Sequence, residues 1–272
     1  MSRRQGFTLV ELLVSLALLA VLVVALLPAV VAARGAAMKV VCTGRLHDLA
    51  MATTMHRLEK GAYPVQPGAA TNPAVTVSIG PLRLAIQPPR PTDMDPAFLN
   101  ALQTYLPFPP VDAATVSPSN LPHVVQCPTV EDADDDERIS PAELTFTRPT
   151  LYTGYAYCVR PKAALLVPAI KPLNSKRGTS ATDFDRAVIW ADDVHWSVPD
   201  YAWSYSHAKR NARRGPKRLT YADASGILGQ HRAYSDGSVE WVHGADLGAT
   251  VPHNGAAKDA ALSVFDMFYF WF

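Results

Sequence analysis

The sequence predicts an α+β chain, one long amino-terminal helix packed on an antiparallel β-sheet with Pro-rich loops. Three observations lead there. From Leu12 to Ala33 the chain carries no charge; these are about 22 residues, or roughly 33 Å of helix, against a bilayer core of about 30 Å. Beyond that run, helical spacing continues until Gly61 and Pro64 stop it. The remainder reads as short strands between turns, and 23 prolines in 272 residues point to a loop-rich exterior.

Composition narrows the function classes. The net charge is +1, from 25 Lys and Arg against 24 Asp and Glu. Without Arg3 and Arg4 the basic residues number 23, so the rest of the chain is near neutral. Such a balance gives no global grip on nucleic acid, and no nucleic-acid partner is expected. About 235 residues follow the apolar run, enough for one domain with long excursions.

At the amino terminus a basic leader, Met1 to Gly6, precedes Phe7-Thr8-Leu9-Val10-Glu11. A carboxylate at the mouth of an apolar segment is costly to bury and calls for a cation. The string from Gly6 to Glu11 resembles the cleavage and methylation segment of type IV prepilins and type II secretion pseudopilins. The resemblance implies a pilin-like fold and a structural subunit with no enzymatic role. A prepilin peptidase would cut after Gly6 and methylate Phe7, and Glu11 would neutralise the Phe7 amine of a neighbouring subunit in the fibre. Pro28 sits where pilin helices commonly kink. The expected organisation is a leader over 1–6, a transmembrane and assembly helix over 7–33, an amphipathic stem over 34–62 and an exported β-rich domain over 63–272. The implied partners are the peptidase, other pilin or pseudopilin subunits and the inner membrane, crossed once. The exported domain would lie in the periplasm or outside the cell, and the assembled product would be a periplasmic or cell-surface fibre. Two simpler readings compete. One is a secretory signal cleaved near Val31-Ala32-Ala33, against which the apolar run is long and Glu11 unusual. The other is a plain anchor bearing a secreted, calcium-dependent binding module that never assembles.

Within the stem, Met38, Cys42, Leu46 and Leu49 fall on one helical face and Met51, Met55 and Leu58 nearly opposite. Gly61-Ala62-Tyr63-Pro64 resembles the turn that closes the helix in a large pilin-like group. Next come an expected strand at Val75–Ile79, a short helix at Ala97–Tyr105, and strands at Leu144–Phe146, Tyr155–Val159 and Ala187–Ala191. The last is a continuous apolar run ending in Asp192-Asp193, which suits a central strand. His231 to Val242 reads as a hairpin turned by Asp236-Gly237 as a two-residue loop. Its Tyr-Ser-Asp-Gly-Ser-Val stretch resembles the carboxy-terminal Asp-Gly-His-Val signature of the same group. Ser238 stands in place of that histidine, and Gly226 where the group has another.

The sharpest candidate for chemistry is the stretch from Asp132 to Glu143. Asp132, Asp134, Asp136, Ser140 and Glu143 supply oxygens at the first, third, fifth, ninth and twelfth places, with Ile139 at the eighth. That is the spacing of an EF-hand-type calcium loop, so calcium is the expected cofactor. Glu137 stands where the loop takes glycine, and clear flanking helices are missing. A solvated acidic run is the competing reading, since six of the seven residues from Glu131 to Glu137 are acidic. Cys127 and Cys158 bracket this stretch in segments that resemble the Cys-Pro and Tyr-rich segments of the pilin-like group. In an oxidising compartment a bridge between them would close a loop of about 30 residues, contributing roughly 3–4 kcal/mol in the chain-entropy picture. Cys42 would then be left over. Two buried thiols are the alternative, and zinc is disfavoured because no Cys-x-x-Cys pair exists. The basic run from Lys209 to Arg218, with Trp203 and Tyr205 nearby for stacking, reads as a solvated loop or an anionic-surface grip. Asp193, His195, His207 and His231 invite a catalytic reading, but no nucleophile elbow or zincin helix accompanies them.

Overall fold

The computed structural model describes residues 9–64, 75–79, 82–86, 93–112, 121–129, 139–140, 150–158, 188–197, 202–209, 211–213, 220–247, 262–264 and 268–270. The chain divides into two units, Met1–Val41 and Cys42–Phe272. Helix α1 (Leu9–Lys60) begins in the first and ends in the second.

In the first unit α1 carries Glu11 in its opening turn, where the helix dipole favours a negative charge. Pro28 sits inside the helix without ending it. Every side chain from Leu9 to Ala37 is exposed, leaving a continuous apolar surface that water does not favour.

In the second unit α1 buries Cys42, Leu46, Leu49, Ala50, Ala52 and Thr53, a single stripe at helical spacing. Met51, Met55 and Leu58 are exposed, and Met38, expected on the face of Cys42, is half-buried. Gly61 ends the helix in the left-handed conformation, at φ 74°. The chain after it is tied back by Tyr157, whose hydroxyl donates to the Pro64 carbonyl at 2.8 Å.

The remaining elements are short. Strands β1 (Val75–Ile79) and β2 (Leu82–Ile86) form an antiparallel pair. Strand β3 (Asp93–Met94) precedes helix α2 (Pro96–Leu102), which Asp95 caps by accepting from the Ala97 amide. Strand β4 (Ile139–Ser140) and β5 (Thr150–Tyr152) join β3 in the order β3-β5-β4. Strand β6 (Tyr155–Tyr157), β7 (Val188–Asp192), β8 (Val194–Ser197), β9 (Ala202–Tyr205) and β10 (Thr220–Tyr221) follow. The last four are β11 (Gly229–Tyr234), β12 (Val239–His243), β13 (Leu262–Val264) and β14 (Phe268–Phe270). Among the described residues two larger sheets result, ordered β12-β11-β7-β6 and β10-β9-β8-β14-β13, and each neighbouring pair is antiparallel. The apolar run that suggested a central strand is β7, flanked on both sides.

The stripe of α1 packs with α2 and with β6 and β7 into one core. Phe98, Tyr157 and Trp190 form its aromatic centre, with ring centroids 4.7–6.0 Å apart. The Trp190 indole N–H donates to Thr53 Oγ1 at 2.9 Å, and the threonine passes its own proton to the Leu49 carbonyl at 2.6 Å. A second cluster gathers Val194, Trp196, Trp203, Tyr205, Tyr221, Ile227 and Leu247.

The β11–β12 hairpin departs from the two-residue turn expected of Asp-Gly. Gly237 N donates to Tyr234 O, and Tyr234 N to Ser238 O, both at 2.9 Å. The loop is therefore three residues, Ser235 to Gly237, a turn followed by a left-handed glycine at φ 82°. The Asp236 side chain stabilises this longer form by accepting from the Ser238 amide at 2.8 Å.

Candidate functional site

Glu11 lies in the first turn of α1, while Gly6 and Phe7 lie outside the described residues. Asp132, Asp134, Asp136 and Glu143 lie outside them too. Ser140 belongs to β4, known there by its backbone. The expected strand at Leu144–Phe146 and most of the basic run are likewise outside. Trp203 and Tyr205, read as stacking surfaces beside that run, are buried instead, and Tyr205 stacks on Tyr221 at 4.0 Å.

The cysteines are arranged differently from expectation. No disulfide links Cys127 to Cys158. The Cys127 sulfur sits 3.4 Å from that of Cys42, and the Cys158 thiol points to the Ala156 carbonyl at 3.6 Å. The physical reason lies in the loop before Thr129. Arg45 of α1 donates to the Gln126 carbonyl at 2.7 Å, and the Cys127 amide donates to Thr153 O at 2.8 Å. These bonds draw Cys127 onto the helix stem, where Cys42 begins the buried stripe.

Around this pair the fold assembles a polar cluster inside the core. Asp192 ends β7, His207 follows β9 and His231 lies in β11. Cys42, Asp192, His207 and His231 are all buried and offer ligand atoms within 4.8 Å of one another. Asp192 Oδ2 accepts from the His231 amide and from its Nδ1, each at 2.7 Å. His207 Nε2 lies 3.0 Å from the same oxygen, yet neither it nor Asp192 Oδ1 has a hydrogen-bond partner in line. The Asp192 carbonyl is held by Gln230 Nε2 at 2.7 Å, and the His207 carbonyl by the Leu228 amide at 2.9 Å. Trp241 closes one side, its ring 4.6 Å from that of His231 and 5.4 Å from that of His207. Gly229 allows this approach, because a Cβ there would meet the Trp241 ring at 2.2 Å.

Charge is concentrated in the cluster. Burial disfavours the Asp192 carboxylate, but the His207 and His231 imidazoles outweigh it and hold the carboxyl well below its usual range. Burial lowers His207 while the Asp192 carboxylate outweighs that and raises it to about 10. Cys127 is raised by burial and lowered more strongly by Cys42 and His207, down to about 5. The adjoining Cys127 sulfur, then burial, push the Cys42 thiol far up.

A second histidine–aspartate pair has a different geometry. Asp193 Oδ1 lies 2.7 Å from His195 Nδ1, and Asp193 Oδ2 accepts from Ser204 Oγ at 2.9 Å. The hydroxyl and the imidazole thus share one buried carboxylate. Sequence reasoning named Asp193, His195, His207 and His231 as possible catalysts and passed over Asp192 and Ser204. The signal was the Asp192-Asp193 doublet at the end of an apolar strand, since two buried carboxylates need partners and His195, His207 and His231 are among the five histidines downstream.

An apolar amino-terminal helix joined to an antiparallel α+β domain defines the architecture of a pilin-like protein. Residues 1–27 match the prokaryotic N-terminal methylation motif. The type IV wide pilus major component PilA4 of Thermus thermophilus is 34% identical over 80 residues, 29% of this chain. The match spans 56% of that relative's length. No solved structure matches the chain. Over these residues the chain is similar to prepilins.

Proposed function

We propose that the chain is a structural subunit, a pilin or pseudopilin, that is cut after Gly6 and polymerises through its amino-terminal helix into a type IV pilus or type II secretion fibre. The observation that carries this reading is the methylation motif at the head of a helix whose residues 9–37 are exposed and whose residues 12–33 carry no charge. Among the described residues one helix is long and apolar enough to cross a membrane. In this reading the inner membrane holds it before assembly and neighbouring subunits cover it afterwards. The Phe7 amine, freed by a prepilin peptidase, is the cation that Glu11 takes from the next subunit. The domain from Cys42 onward is then exported to the periplasm or the cell surface. The acidic stretch from Asp132 to Glu143 enters on sequence spacing alone, as a weak calcium loop of that domain.

Amino-terminal mass analysis of the chain expressed with a prepilin peptidase tests the reading. Methylated Phe7 at the new terminus is the expected result. A terminus at Arg34 overturns it in favour of a cleaved signal.

A further inference from the structure

The proposed fibre assembly through the amino-terminal helix makes no use of the buried Cys42, Cys127, His207 and His231. Ordinary packing does not account for them either. A buried carboxylate, two imidazoles and two thiols are costly in a core unless they satisfy one another, and here they do so incompletely. His231 is engaged, giving both its amide and Nδ1 to Asp192 Oδ2. Asp192 Oδ1 has no hydrogen-bond partner, and His207 Nε2 reaches Asp192 Oδ2 at 3.0 Å only out of line. The Tyr155 hydroxyl is also buried and lacks a hydrogen-bond partner.

We propose that Cys42, Cys127, Asp192 and His207 form a closed four-coordinate site for a zinc-class divalent cation, with His231 as the positioning residue behind Asp192. The spacing fits. Zinc bonds of about 2.3 Å to sulfur and 2.0–2.1 Å to nitrogen or oxygen set tetrahedral edges of roughly 3.3–3.8 Å. The two sulfurs are 3.4 Å apart, and Cys42, Asp192 and His207 fall within the 4.8 Å envelope. Donor chemistry selects the class, since two thiolates and an imidazole favour zinc over calcium or magnesium. His231 gives the second-layer hydrogen bonds that orient a ligating carboxylate. Burial of all four ligands leaves no open coordination position, so the cation is structural and not catalytic.

The four ligands come from segments remote in sequence: the stem of α1, the loop before Thr129, the end of β7 and the chain after β9. A cation there clamps the helix stem to the sheet, which makes metal binding part of folding. The sequence hides such a site because no two ligands are close together in it.

The test is metal content of the tag-free full chain, purified in detergent and equilibrated with zinc. One zinc per chain is expected. Replacement by cobalt should give the intense near-ultraviolet sulfur-to-metal band of thiolate ligation. Cys42→Ser and His207→Gln should each lose stoichiometric zinc, Cys158→Ser should keep it, and His231→Gln should weaken zinc about 10–100-fold in chelator competition. Should the ligand variants fail to fold, the wild-type metal content and cobalt spectrum still decide. A metal-free wild type, a cobalt complex lacking the thiolate band, or peptide mapping that finds Cys42 bonded to Cys127 overturns the proposal.

Discussion

His47 Nδ1 of α1 lies 2.7 Å from the carbonyl oxygen of Gly237, at the tip of the β11–β12 hairpin. A carbonyl only accepts, so the imidazole donates from Nδ1. Two further contacts lie along the same side of the helix. Thr54 Oγ1 donates to the Ser235 carbonyl at 3.2 Å, and a Cβ on Gly237 would come within 2.7 Å of Met51 Sδ. The hairpin tip is thus seated on the stem at helical spacing, residues 47, 51 and 54.

Gly237→Ala should therefore destabilise the domain by about 1–3 kcal/mol, from left-handed backbone strain and crowding against Met51. His47→Ala should cost about 1 kcal/mol through the lost hydrogen bond. Denaturant unfolding of the detergent-solubilised chain, followed by tryptophan fluorescence, measures both. An unchanged midpoint for Gly237→Ala would contradict the seated tip.

Thr53→Val keeps the shape of the side chain but removes the acceptor of the Trp190 indole N–H. With both residues buried, the expected loss is about 1–3 kcal/mol by the same unfolding measurement. Trp190→Ala should cost more, about 3–5 kcal/mol, because it empties the aromatic centre.

Glu11→Ala should leave the unfolding of the domain and cleavage after Gly6 unchanged while lowering the yield of sheared fibres. The carboxylate sits in a unit separate from the domain core, and its proposed partner is the Phe7 amine of another subunit. Normal fibre yield would remove the electrostatic role from Glu11.

The calcium expectation has its own test. Calorimetry on the full chain should find one site near the weak range of extracellular modules, about 10⁻⁴–10⁻³ M, lost in Glu143→Ala. Glu137→Gly should tighten it by relieving the backbone at the glycine place. Absence of heat at millimolar calcium makes the stretch a solvated acidic run.

Much of the fold was legible because the signals were local. The uncharged run, the Gly61 stop, the stripe through Cys42, Leu46 and Leu49, and the apolar strand before Asp192 each follow from spacing within a dozen residues. The hairpin was legible in place but not in loop length, since Ser238 pairing with Asp236 selects the three-residue form. The buried cluster was not legible. Cys127 meets Cys42 only because Arg45 and Thr153 anchor its loop, and Asp192 meets His207 and His231 only through sheet pairing. Contacts of that kind depend on topology, and spacing along the chain carries no trace of them.

Aspartate followed by glycine is a peptide link prone to age, through attack of the glycine nitrogen on the aspartate side chain and rearrangement to isoaspartate. At Asp236-Gly237 both reacting groups are restrained. The Gly237 N–H is held by the Tyr234 carbonyl at 2.9 Å, and Asp236 Oδ1 by the Ser238 amide and hydroxyl at 2.8 and 2.6 Å. The seat on α1 keeps the turn in that geometry. The hydrogen bonds that give the hairpin its shape thereby also hold the two reacting groups of this link apart.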